Sequence, residues 1–105
     1  MLERKSADIL MPDLERVGGV SEWLKVAHMA AAQDIPVSPH IFTEHSLQLC
    51  AAVSNVNYAE HMPWFTGLFK EKMELVDGEI IIPNRPGMSF NFDPDAVERF
   101  TIPLP

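Results

Sequence analysis

"MPDLERVGGVSEWLKVAHMAAAQDIPVSPH", residues 11–40, closes one hydrophobic run with an acid and the next with a histidine. The first run, Ile9, Leu10 and Met11, has the pattern of a short buried strand. It is stopped by Pro12, which cannot donate to a ladder and holds its predecessor extended. Asp13 therefore falls just past a strand end. Gly18 and Gly19 follow as a flexible turn, and Val20, Trp23, Leu24, Ala27, Ala30 and Ala31 recur at helical spacing, which predicts an amphipathic helix over 20–33. "IPVSPH" repeats the first logic, so His40 holds the place that Asp13 held one unit earlier.

Working outward, "EHSLQLCAAVS" (residues 44–54) predicts a second helix, apolar on most sides and packed between neighbours. "VNYAE" reads as a third short strand ending at Glu60. Strands alternating with helices imply a parallel sheet, because a parallel partner needs a crossover connection. Ligands of such sheets lie outside the carboxyl ends of the strands, where Asp13, His40 and Glu60 fall. Further on the character changes. Asp77 and Gly78 stand between two apolar runs and predict a hairpin, since a type I′ turn needs positive φ at both central residues. "PNRPGMSF" is a connection, and Asp93 followed by Pro94 reads as an N-cap and first helical residue.

With 105 residues, 47% of them hydrophobic, the chain suits one small domain with a core. A net charge of −7 and the lack of any basic run argue against nucleic-acid or anionic-membrane partners, both of which call for clustered Lys and Arg. Nothing approaches about 18 continuous apolar residues, and no signal-peptide pattern follows the first charges. The expectation is a soluble, cytoplasmic chain. Cys50, in "LQLCAAV", reads as a small buried hydrophobe, and a lone cysteine excludes a disulfide framework. Three parallel strands leave two unpaired edges, which are templates for association. Either further copies complete the sheet, as a homo-oligomer, or the chain is the tail of a longer protein; the second is favoured.

The quoted stretch, continued through "IF", together with "HSLQLCAAV" and "YAEHM", resembles the carboxyl-terminal part of the mandelate racemase / muconate lactonizing enzyme family of the enolase superfamily, its acid-sugar dehydratases in particular. The resemblance covers about residues 7–90 and rests on the double glycine, the "SPH" strand end and the glutamate 20 residues after the histidine, in that order. It implies an α/β fold: a partial (β/α) barrel, made of the last three strands with their helices, plus a carboxyl-terminal β-hairpin and short helix. Residues 1–64 would be the final βα units and 65–105 a tail packing back on a capping domain.

By the same resemblance His40 would move a proton at the carbon next to a substrate carboxylate. Asp13 would be its partner, since a carboxylate accepting the Nδ1 hydrogen fixes the tautomer and stabilises the imidazolium. Glu60 would hydrogen-bond the substrate carboxylate as it becomes an enediolate, in a protonated form favoured by burial near other negative groups. The family's magnesium is held by carboxylates on strands that this chain does not contain, so the expected metal ligands here are none, and the 105 residues alone are expected to be inactive. In the complete enzyme the partner would be a sugar acid or 2-hydroxy acid. A dehydratase is favoured over a racemase by the resemblance, but these residues do not separate the two, because the discriminating ones lie upstream.

The other singled-out residues are assigned more plainly. His28 and His45 lie on predicted helices and are packed or solvated. His61 adjoins Glu60 and is a substrate-binding candidate. His40 and Glu44, four residues apart, could share a metal only on one helix, which Pro39 opposes. Trp23 belongs to the core, and Trp64 either rims a pocket or covers the barrel. From another class stands a non-catalytic remnant or assembly module that oligomerises through open sheet edges.

Overall fold

The computed structural model describes residues 2–4 and 6–104. Helix α1 spans Val20–Ala31, α2 Thr43–Ala52 and α3 Pro94–Phe100; strands β1 (Glu74–Val76) and β2 (Glu79–Ile81) form an antiparallel hairpin.

The three segments expected as parallel strands are extended and correctly ordered, but they are joined by single parallel bridges: Leu10 to Val37, Asp13 to His40, and Val37 to Val56. The middle segment lies between the other two. Leu10 N–H donates to Pro36 O, Ser38 N–H to Leu10 O, His40 N–H to Pro12 O and Val37 N–H to Asn55 O. The ladder is fragmentary because Pro12, Pro36 and Pro39 remove donors from the first two segments. The first segment also departs from the expected burial. Leu10 packs on the core, whereas Ile9 and Met11 are exposed, because alternate residues face opposite sides and the outer side of this segment is uncovered.

α1 begins after Gly18 and Gly19, whose φ values of 98° and 100° are natural only to glycine. It ends two residues earlier than expected and closes with a paired turn: Ile35 N–H donates to Ala30 O and Asp34 N–H to Ala31 O, with Asp34 in the left-handed region at φ 55°. Trp23, Ala27 and Ala30 have no exposed surface and pack with Leu14, Ile35, Val37 and Leu49. Val20, at the helix start, is exposed instead of buried.

α2 is not apolar on most sides. Its buried residues include Thr43, Glu44 and Ser46, while Ala51 and Ala52 face outward. Leu47 meets a second cluster with Phe69 and Phe90, through which the later part of the chain packs on α2. Gln48 fastens that contact, its Nε2 donating to Pro83 O and Ser89 Oγ at 2.7 Å each. The hairpin turns on Asp77 (φ 50°) and Gly78 (φ 84°), and α3 is capped by Asp93, which accepts the Asp95 N–H at 3.2 Å.

Candidate active site

Asp13 is positioned by its own loop. Its Oδ1 accepts the backbone N–H groups of Glu15 (2.9 Å) and Arg16 (3.0 Å), a local turn that satisfies a carboxylate 6% exposed. Oδ2 faces His40 Nδ1 at 2.9 Å, with Arg16 Nε at 3.4 Å. Burial pushes the Asp13 carboxyl up. The Arg16 N–H, the His40 ring, the Glu15 N–H and the Arg16 guanidinium together outweigh it and hold the group below its ordinary range. An ionised carboxylate only accepts, so the hydrogen on this contact belongs to Nδ1 and the neutral ring keeps its lone pair on Nε2.

That second nitrogen points toward Glu60, whose Oε2 lies 3.8 Å away, beyond hydrogen-bonding range. Glu60 is fixed from the segment after His40: Ile41 N–H donates to its Oε2 (3.1 Å) and Thr43 Oγ1 to its carbonyl (2.8 Å). Ile41 and Phe42 hold φ of 38° and 46°, a strained conformation for a β-branched and an aromatic residue. Nothing in the sequence signals this turn, yet it aims the Ile41 N–H at Glu60. At 34% exposure, Glu60 is less buried than expected.

The structure therefore brings Asp13, His40 and Glu60 together at the ends of the parallel segments. His61, next to Glu60 in the chain, is half-buried, its Nδ1 enclosed and without a hydrogen-bond partner among the described residues. His28 is exposed, and His45 stands edge-on to Phe69 and Phe92. Trp23 is core and Trp64 is 67% exposed. His40 precedes α2, so it shares no helix with Glu44. Cys50 is half-buried, and burial pushes its thiol up to about 11.

Among the described residues no group of three or more His, Cys, Asp and Glu is placed to hold a metal ion. Asp13 and Glu60 already spend oxygens on backbone N–H groups, whereas magnesium requires near-octahedral oxygen ligands. These residues do not fit a magnesium site of their own.

An α/β arrangement with acid, histidine and acid at neighbouring parallel ends defines a piece of an enolase-type domain. Residues 1–96 match the family model described as enolase C-terminal domain-like, and the chain belongs to that family, the mandelate racemase / muconate lactonizing enzyme group of the enolase superfamily. It is 37% identical over 91 residues to the L-talarate/galactarate dehydratase of Salmonella typhimurium, a match spanning 87% of this chain and 23% of that protein. It is 37% identical over 111 residues to the D-xylonate dehydratase of Haloferax volcanii, covering 97% of this chain and 27% of that one. The crystal structure of L-talarate dehydratase from Polaromonas sp. JS666, complexed with Mg and L-glucarate, superimposes with a TM-score of 0.86 at 34% identity over 92% of this chain and 27% of that chain. The chain thus spans about a quarter of the length of these relatives.

Proposed function

We propose that these residues supply the proton-transferring side of an acid-sugar dehydratase site, formed with polypeptide beyond this chain, and that the chain alone does not turn over sugar acids. The 2.9 Å contact of His40 Nδ1 with Asp13 Oδ2 carries this reading. It leaves Nε2 free to move a proton at the carbon next to a substrate carboxylate, or, as imidazolium, to protonate a leaving hydroxyl. Asp13 orients the ring and stabilises its charged form. Glu60, once protonated, donates a hydrogen bond to the substrate carboxylate. The three extended segments correspond in this reading to the last three strands of a (β/α) barrel, and the tail from residue 65 would pack on a capping domain. Support comes from the dehydratases among its relatives, one of which binds Mg and L-glucarate.

The test joins residues 1–96 to the remaining three quarters of the Salmonella dehydratase and assays galactarate dehydration with magnesium. His40→Asn is expected to lower turnover by about 10²-fold to 10⁴-fold; a rate near that of the unsubstituted chimaera overturns the role. On the 105-residue chain itself, ring ¹⁵N NMR is expected to find His40 with its hydrogen on Nδ1 at neutral pH. The opposite tautomer contradicts the assignment.

A second reading, an assembly module, draws on the outer sides of the first and third segments, where Ile9, Met11 and Tyr58 are exposed. Concentration-dependent oligomers in light scattering would favour it, and a monomer at all concentrations would remove it.

A further inference from the structure

Beside the first turn of α2 lies a cleft of about 180 Å³. Two stacked aromatic pairs form much of its wall, Phe42 on Phe65 at 4.9 Å and Phe69 on Phe92 at 5.0 Å. His45 stands edge-on to the second pair at 5.4 and 6.0 Å. Into this apolar surround the first turn of α2 brings Glu44, a lining residue only 2% exposed. Among the described residues its buried Oε1 has no hydrogen-bond partner and the side chain forms no ion pair. Glu15, 51% exposed, stands at the rim with its Oε1 3.7 Å from His45 Nδ1.

A buried carboxylate without a donor is costly, and the helix N-terminus offsets only part of that cost. The missing partner is a donor, and its preferred form is set by the surroundings. Aromatic faces attract cations, a desolvated carboxylate binds an ammonium through charge-assisted hydrogen bonds, and the apolar walls accommodate methylenes. We infer that this cleft is a binding site for a primary alkylammonium group, held by Glu44 at its base, walled by the phenylalanines and screened at its rim by Glu15. The same chemistry is offered by a free amine and by the end of a lysine side chain.

The probes are n-butylammonium chloride and, as a lysine side chain on a peptide backbone, N-acetyl-lysine-N-methylamide; n-pentanol serves as the neutral control. Each is titrated into the 105-residue chain and followed by the NMR shifts of the His45 and Phe92 rings. n-Butylammonium is expected to bind at least tenfold more tightly than n-pentanol, and Glu44→Gln, which keeps the shape, to remove that preference. Binding of the lysine derivative as well assigns the cleft to a polypeptide-borne lysine, and binding of the amine alone to a free ligand. Equal affinity for amine and alcohol, or an amine preference that survives Glu44→Gln, overturns the proposal. Should Glu44→Gln not fold, Phe92→Leu at an exposed wall position and Glu15→Gln at the rim replace it; amine affinity unchanged in both refutes the site.

Discussion

Trp23 Nε1 donates to the carbonyl of Pro12 at 3.0 Å, and that same carbonyl accepts the His40 backbone N–H at 3.2 Å. One oxygen thus ties α1, the first extended segment and the second together directly below Asp13 and His40. Trp23→Phe keeps most of the buried ring but removes one donor from an enclosed carbonyl. Because the carbonyl keeps the His40 N–H, a loss of about 0.5–1.5 kcal/mol of stability is expected, measured as a shift in urea midpoint. A midpoint equal to that of the unsubstituted chain would show that the indole hydrogen is not a support of the site.

Acid should weaken the fold through Asp13. Its folded-state pKa lies below the ordinary value, so its contribution is fully present above the unfolded pKa of about 3.9 and is lost as pH falls through the lower folded value. Glu71 acts in the same direction, lowered first by the Asn91 N–H and then by the Asn91 side chain. Asp13→Asn should therefore flatten, without abolishing, the decline in urea midpoint between pH 5 and the acid limit. An unchanged decline would mean that the carboxylate is not stabilised by its partners.

The hairpin turn gives a local test. Gly78→Ala places a Cβ at φ 84°, and the cost is backbone strain alone, since nothing within 4 Å would meet that carbon. About 1 kcal/mol is expected, readable as a fall of roughly 4 °C in melting temperature. No change would show that the hairpin unfolds independently of the phenylalanine cluster on which Ile80 packs.

Cys50, with its thiol pushed up to about 11 by burial, should be a slow nucleophile. Alkylation by iodoacetamide at pH 7.5 is expected to run about 10²-fold slower than for an unhindered cysteine and to recover in urea. Labelling of the folded chain at the free-cysteine rate would contradict the burial of the sulfur.

Much of this was legible in the residues. The spacing of Trp23, Ala27 and Ala30 located α1, the Asp77-Gly78 pair located the hairpin, and Asp93-Pro94 located α3, because each is a local rule that tertiary contacts had no reason to override. The strand positions of Leu10, Val37 and Val56 were readable, but not the poverty of their ladder, although the prolines that cause it were in plain view. Asp13, His40 and Glu60 stood out by their repeated place at run ends. The left-handed Ile41 and Phe42 did not, since propensity opposes that conformation and only the tertiary pull of Glu60 and α2 explains it. Glu44 was equally hidden: a helical glutamate is ordinarily solvated, and its burial depends on aromatic residues that arrive from 65–92.

The partnership of Asp13 and His40 spans 27 residues of chain, and Ile41 reaches Glu60 across another 19. No peptide cut from one segment can prefigure it, because the loop that closes it contains the whole of α1 and the entropy of closure is recovered only when that helix docks. During refolding the imidazole and its carboxylate should therefore meet late, together with the burial of Trp23, which makes the histidine ring a natural reporter of completed folding in this chain.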